Sequence, residues 1–285
     1  MSGDGRRPPG NGNGNGNGNG NGNEPGGGSG TVRPQPIGEV DVTVVIPAYN
    51  TGPRLGPNVQ EAAHVLGGTG RSFELVVVDD GSTDGSAAAV RAMAAKDDRI
   101  RLIELGTNHG KGFAVRAGLV AGHGRWRGFI DADGDLPFTL LERFIDTAME
   151  GDNDIVFGTK HGAALSDVSI VRRISSRAYA LFVRALFALD APDTQTGIKL
   201  MSRAVVDAVV PNLVEERFAF DVELLVEARA RGYTRWAALP VRPAARLSTT
   251  ISPARVLQLV SDTLAVRRRH RNRAVSHQAT VRAHP

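Results

Sequence analysis

The sequence predicts an α/β protein built on a mostly parallel sheet with helices over both faces, and three observations carry that expectation. Between Val42 and Gly158, short β-branched apolar runs alternate with longer Ala-rich stretches. The runs are nearly continuous in their apolar character, as strands buried on both faces are. Each of the first four ends in a polar turn rich in Asp, Gly, Asn or Ser.

Taken in order, the expected strands are VTVVIPA (Val42 to Ala48), FELVVVDD (Phe73 to Asp80), IRLIEL (Ile100 to Leu105), WRGFIDA (Trp126 to Ala132) and DIVFGT (Asp154 to Thr159). In open α/β sheets ligands bind beyond the carboxyl ends of the strands. There lie PAYN after the first strand, DDGSTDGS after the second, TNHGKGFA after the third and DADGD after the fourth. Singly each has a structural explanation. DDGSTDGS can be a turn whose Ser82, Thr83 or Asp84 caps the next helix. HGKGFA resembles half of a dinucleotide fingerprint, but Ala114 stands just before the place of the third glycine. Carboxylates at two strand ends and a lysine at a third, however, are expected to meet around one phosphate-bearing ligand.

Composition narrows the function classes. The 285-residue chain holds no cysteine, so disulfides and thiolate metal sites are excluded. Residues 1–38, with NGNGNGNGNGNGN, are expected as a disordered tail, because they offer too little apolar surface to offset the entropy of ordering. The expected division is that tail, one α/β domain over 39–245, and an amphipathic helix with a basic tail over 246–285. The run AYALFVRALFAL (Ala178 to Leu189) is too short to span a bilayer and is interrupted by Arg184, so no spanning helix or signal peptide is expected. Six arginines and no acidic residue occupy 267–285, after a helical stripe of Val256, Leu257, Leu259, Val260, Leu264 and Ala265. That end reads either as a solvated helix face or as a contact with anionic lipid. No nucleic-acid partner is expected, since aromatics are only 5% of the chain and no reader motif is present.

The stretch IDADGDLPFTLLE (Ile130 to Glu142) admits three readings. A calcium loop finds ligands in Asp131, Asp133, Asp135 and Glu142, but the glycine needed at its sixth position is Leu136 and a strand precedes it. A haloacid-dehalogenase-type phosphatase begins D-x-D-G-T, but Asp135 replaces the threonine, and three strand-helix units precede this one. A sugar transferase uses Asp-x-Asp to hold Mg²⁺ or Mn²⁺ against a diphosphate, which suits hard carboxylate oxygens at a strand end.

In their order and spacing, VVIPAYN, VVVDDGSTDGS, NHGKGFAVRAG and IDADGD resemble glycosyltransferase family 2, which has the GT-A fold. DTQTGIKLM (Asp193 to Met201) and RFAFDVELLVEARARGY (Arg217 to Tyr233) resemble its branch that makes dolichyl-phosphate or polyprenyl-phosphate glucose, with mannose-transferring relatives next. The likeness covers about Val42 to Arg242. It implies that Pro47, Ala48, Tyr49 and Asn50 line the nucleoside and that Asp79 faces the base or ribose, with Asp80 also among the substrate-binding residues. It further implies that Lys111 lies near the phosphates and that Asp131 and Asp133 hold Mg²⁺ or Mn²⁺. Thr51 departs from the acidic residue, and Asp135 from the small or amide residue, that many relatives carry there. The Q-x-x-R-W motif of processive synthases is absent, since GYTRW has Gly232 in place of Gln, so a single transfer is expected.

A lipid phosphate acceptor explains the lack of an evident general base, because with a second pKa near ~6 it is already an oxyanion at neutral pH. Arg172, Arg173 and Lys199 are the expected grip on that phosphate, the paired arginines through forked donors. Asp193 is expected to orient the acceptor or act as a base, or else to cap its own turn. The expected activity is inverting, metal-dependent transfer of glucose from UDP-glucose to a polyprenyl phosphate at the cytoplasmic face of a membrane. Mannose from GDP-mannose is the alternative within the class; a phosphatase and a non-catalytic membrane adaptor are those outside it.

Overall fold

Seven strands form one sheet: Val40–Ala48 (β1), Phe73–Asp79 (β2), Ile100–Glu104 (β3), Gly124–Ile130 (β4), Ile155–Thr159 (β5), Ile198–Ser202 (β6) and Trp236–Pro240 (β7). Their spatial order in the computed structural model is β3-β2-β1-β4-β6-β5-β7. The structure describes residues 38–160, 170–189, 193–243 and 253–283, and within 170–176, 253–255 and 273–283 the helical backbone alone. The expected N-terminal tail lies outside the described residues, apart from Gly38.

The helices are Leu55–Gly68 (α1), Ser86–Ala94 (α2), Lys111–Ala121 (α3), Leu140–Glu150 (α4), Ile170–Phe187 (α5), Arg203–Val209 (α6), Phe220–Ala230 (α7) and Pro253–Ala283 (α8). Side chains from α1, α2 and α4 pack with Val42, Val44 and Ile46 on one face of the sheet. Those from α3, α5, α6 and α7 pack with Val45, Val76 and Val78 on the other. Both faces of β1 and β2 are therefore dry, which is why these strands read as nearly continuous apolar runs. Phe144 on α4 is 1% exposed, and burial of a side chain that size contributes roughly 2–3 kcal/mol.

β1, β2, β3 and β4 are parallel, as expected, but β6 runs antiparallel between β4 and β5. β5 is thus not beside β4, and β6 and β7 are strands the sequence reading did not find. The reversal has a consequence for function. Ile130 pairs with Ile198, so the chain entering β6 passes the carboxyl end of β4, where Asp131 and Asp133 stand.

At the opposite end of the sheet Glu74 is fully buried, and accepts hydrogen bonds from Thr43 Oγ1 (2.7 Å), Arg101 Nη1 (2.9 Å) and the His123 amide. Burial alone would raise the Glu74 pKa, but these donors outweigh it and hold the carboxyl below its ordinary range. Among the described residues no helix is long and apolar enough to cross a membrane.

Candidate active site

Asp131 is the first residue beyond β4, and its amide donates to Gly197 O at 3.0 Å. Its carboxylate lies so close over Gly197 that a Cβ there would sit 2.0 Å from Asp131 Oδ2. Only glycine leaves that seat open. Lys111, the first residue of α3, places Nζ 2.6 Å from Asp131 Oδ1. Burial opposes the lysine's charge, but Asp131 chiefly, then Asp221 and Asp133, hold its pKa above the ordinary range.

Asp133 Oδ1 accepts from the Asp135 amide at 3.0 Å, closing an Asx turn through Gly134, whose φ is 72°. Asn58 on α1 braces that turn by donating to Ala132 O at 2.7 Å. Desolvation raises the Asp133 pKa, and the Asp131 and Asp135 charges add to it, although Asp133 opens to solvent and screening trims the effect. The turn carries more negative charge than it neutralises.

Beneath it, Lys199 Nζ is bound to Asp221 Oδ1 at 2.6 Å and donates to Thr196 O at 2.9 Å. Lys199 is 1% exposed, so this corrects the expectation that it meets an acceptor phosphate. Its charge is already consumed by a buried partner, and the lysine forms part of the floor.

On the neighbouring strand ends, Pro47 is half-buried, Ala48 buried and Tyr49 51% exposed. Asn50 adopts a left-handed φ of 47°, donates its amide to Ser82 Oγ at 2.9 Å and accepts from the Thr83 amide at 2.9 Å. It thereby staples the turns after β1 and β2. Asp79 accepts from the Ser82 amide through Oδ2 at 3.2 Å, while Oδ1 is buried with no partner. An orphaned carboxylate oxygen in a crevice is suited to a ligand's N–H or O–H. Asp80 is different from what the sequence suggested. Its two oxygens accept from the His109 and Gly110 amides, each at 2.8 Å, and at 3% exposure it offers no ligand a free face. It clamps the loop that delivers Lys111.

Asp193 accepts from the Gln195 amide (3.0 Å), Thr196 Oγ1 (2.7 Å) and the Lys160 amide (3.3 Å), so it caps its own turn and ties that turn to the end of β5. Arg172 and Arg173 fall on the helical backbone of α5, and their side chains lie outside the described residues.

With this arrangement in place, the chain can be set beside known proteins. The sequence pattern described as Glycosyl transferase family 2 matches residues 43–210. The chain belongs to glycosyltransferase family 2. A dolichyl-phosphate beta-glucosyltransferase of Dictyostelium discoideum is 34% identical over 208 residues, covering 68% of this chain and 64% of that protein. The Homo sapiens protein of the same name is 32% identical over 203 residues, covering 66% and 63%. The chain thus spans just under two thirds of the length of these curated relatives. Glucosyl-3-phosphoglycerate synthase from Mycobacterium tuberculosis superposes with a TM-score of 0.60 in its UDP complex, at 19% identity over 80% of each chain. Its complex with Mn²⁺, UDP and phosphoglyceric acid also gives 0.60 at 19% identity, over 80% of this chain and 78% of that one. These likenesses show the GT-A fold.

Within this family 2 domain, several site-shaping residues escaped the sequence reading. Gly197 is one; its neighbour Gln195, whose Nε2 is buried without a partner, is another. Both sit in DTQTG, where Asp193 drew attention by its charge. Asp221 is a third, hidden because an acidic residue in the first turn of α7 looks like an ordinary helix start. Among the described residues, no three His, Asp or Glu side chains converge as a ready-made metal cage. Asp131 and Asp133 nevertheless suit a hard divalent cation, which keeps open positions for phosphate oxygens when few protein ligands hold it.

Proposed function

We propose that this chain is an inverting, metal-dependent hexosyltransferase that moves glucose from UDP-glucose to a polyprenyl phosphate. The observation that carries the reading is the grouping of Lys111, Asp131 and Asp133 at the carboxyl end of β4, with the orphaned Asp79 oxygen two strands away, at the end of β2 on the far side of β1. The choice of glucose and of a dolichyl-type acceptor is supported by the names of the relatives. UDP and a divalent ion are supported by the ligands of the structural neighbours.

Asp131 and Asp133 would hold Mg²⁺ or Mn²⁺, which when bound supplies positive charge against the departing diphosphate. Tyr49 and Asn50 would flank the nucleoside, and the Asp79 oxygen would accept from the base or ribose. Lys111, kept protonated by Asp131, would share the phosphate charge. Arg172 and Arg173 would orient the acceptor phosphate. One of its oxygens then bonds to the sugar's anomeric carbon as the bond to UDP breaks, the electron pair leaving with the β-phosphate. The acceptor arrives as an anion, so no protein base is required, and Asp193 serves as a positioning group.

A bilayer-borne acceptor asks for peripheral contact at the cytoplasmic membrane face. The outer side of α8 supplies Leu257 and Leu264, 70% and 48% exposed, followed by exposed Arg268 and Arg271. A panel of labelled nucleotide sugars with Mn²⁺ and a polyprenyl phosphate tests the reading. Label moving from UDP-glucose to the lipid supports it. Transfer only from GDP-mannose would overturn the sugar, and hydrolysis of phosphomonoesters without glycolipid would overturn the class.

A further inference from the structure

The basic helix α8 does not turn all of its cations outward. Arg269 Nη2 donates to Glu215 Oε2 at 3.1 Å, and its Nε faces Glu223 Oε1 at 3.5 Å, an ion pair rather than a hydrogen bond. The Glu223 side chain is 2% exposed and the Glu215 side chain 10%. Glu223 Oε2 in turn accepts from the Val214 and Glu215 amides, at 2.9 and 2.7 Å. Two buried carboxylates therefore shape the 213–217 segment, and Arg269 is the cation placed against both.

That segment bears on the candidate site. Glu216 O accepts from the Gly112 and Phe113 amides at 2.8 and 3.2 Å, two of the donors that the first turn of α3 leaves without helical partners. The two backbones touch: a Cβ on Gly110, whose φ is 105°, would sit 2.5 Å from Glu216 O. Arg116 adds a bond from Nη1 to Leu213 O at 2.5 Å. Lys111, between Gly110 and Gly112, then reaches Asp131 at 2.6 Å. The links run without a gap from α8 through the 213–217 segment to the first turn of α3 and the aspartates.

We propose that Arg269 is a positioning residue for the phosphate-and-metal site, acting by neutralising Glu215 and Glu223 so that the Glu216 carbonyl holds Lys111 against Asp131. The role of the site itself rests on the function proposed above; the role of Arg269 in ordering α3 does not. Without the guanidinium, two buried like charges repel and the segment opens. Asp262, about two α8 turns earlier, adds to the acidic pressure: burial and the Glu215 charge raise its pKa against Arg217 and Arg269.

The test uses the full chain and compares Arg269→Ala, Arg269→Lys and Arg268→Ala by hydrogen exchange and by titration with UDP and Mn²⁺. Arg269→Ala is expected to speed exchange at Gly112 and Phe113 at least tenfold, with the β1 and β2 amides still protected, and to weaken UDP binding about tenfold. Arg269→Lys restores most of both, and Arg268→Ala, on the outward face, changes neither. Unchanged exchange at Gly112 and Phe113 in Arg269→Ala would overturn the proposal, as would protection lost equally across the sheet. Exchange altered as expected in Arg269→Ala, together with a wild type that binds no UDP, would uphold the ordering of α3 by Arg269 and sink the functional reading instead.

Discussion

A methyl group at Gly197 would stand 2.0 Å from Asp131 Oδ2, so the placement of one carboxylate depends on the absence of one side chain. Gly197→Ala is therefore expected to push Asp131 off Lys111. A displacement of about 1 Å at a reacting group costs on the order of 10² in rate. Overpacking costs about 1–3 kcal/mol, enough to lower the thermal midpoint by a few degrees without unfolding the chain. Steady-state kinetics beside a thermal melt checks both, and near-normal turnover would show that the Asp131 seat is dispensable. The aspartates themselves were legible because carboxylates two apart at a strand end are an unusual expense for any structural purpose. Gly197 was not legible, because what fixes it is Asp131, just past the end of another strand and 66 positions earlier in the chain.

At the scale of elements, the apolar runs revealed β1, β2 and β5 because burial on both faces keeps them mostly apolar, and β3 and β4 stood out despite Arg101, Arg125 and Arg127 through the β-rich runs around those charges. β6 is interrupted by Lys199, whose burial depends on Asp221 from α7, and β7 is a five-residue strand ending in Pro240. A charged residue in a strand reads as exposed until its partner is known, so from sequence alone Lys199 looks free to bind a phosphate. Glu74 gives the matching prediction at the far end of the sheet. Its folded pKa is lowered, so its stabilisation is fully present above the ordinary glutamate range and is lost as pH falls through the lowered value. Glu74→Gln should cost about 2–3 kcal/mol at neutral pH by leaving Arg101 the Ala121 carbonyl but no charged partner, and progressively less as pH falls through the lowered folded pKa. Denaturant melts in a series from pH 7 down through the acid limb check this, and a deficit that stays constant across the series would contradict it. On α5, replacing Arg172 and Arg173 together with Ala should raise the KM for polyprenyl phosphate about tenfold or more while the KM for the nucleotide sugar stays within about twofold. Equal rises in both constants would mark the pair as structural.

For the whole molecule, α8 serves two faces at once. The sequence leaves its arginines as either a solvated helix face or a contact with anionic lipid, but Arg269 turns to Glu215 and Glu223, and the Arg267 guanidinium lies 5.8 Å over the Phe187 ring. Periodicity could show that the helix is amphipathic; it could not show that glutamates on and before α7 claim part of the basic side. With each arginine near an anionic surface contributing about 1 kcal/mol, Arg268→Ala with Arg271→Ala should weaken vesicle binding about 10- to 30-fold at low salt, and added salt should narrow the gap. Sedimentation with anionic vesicles reads it, and unchanged binding would assign the outer face of α8 to plain solvation. Beneath these outer features the account rests on one claim, that Asp131 and Asp133 grip a nucleoside diphosphate through a divalent cation. Calorimetric titration of UDP into wild type and Asp133→Asn, with Mn²⁺ and with chelator, measures it directly. Binding by the wild type is expected to need Mn²⁺ and to weaken roughly tenfold or more in Asp133→Asn at unchanged thermal stability. UDP binding of equal strength with and without Mn²⁺, or equal in the two proteins, would contradict it.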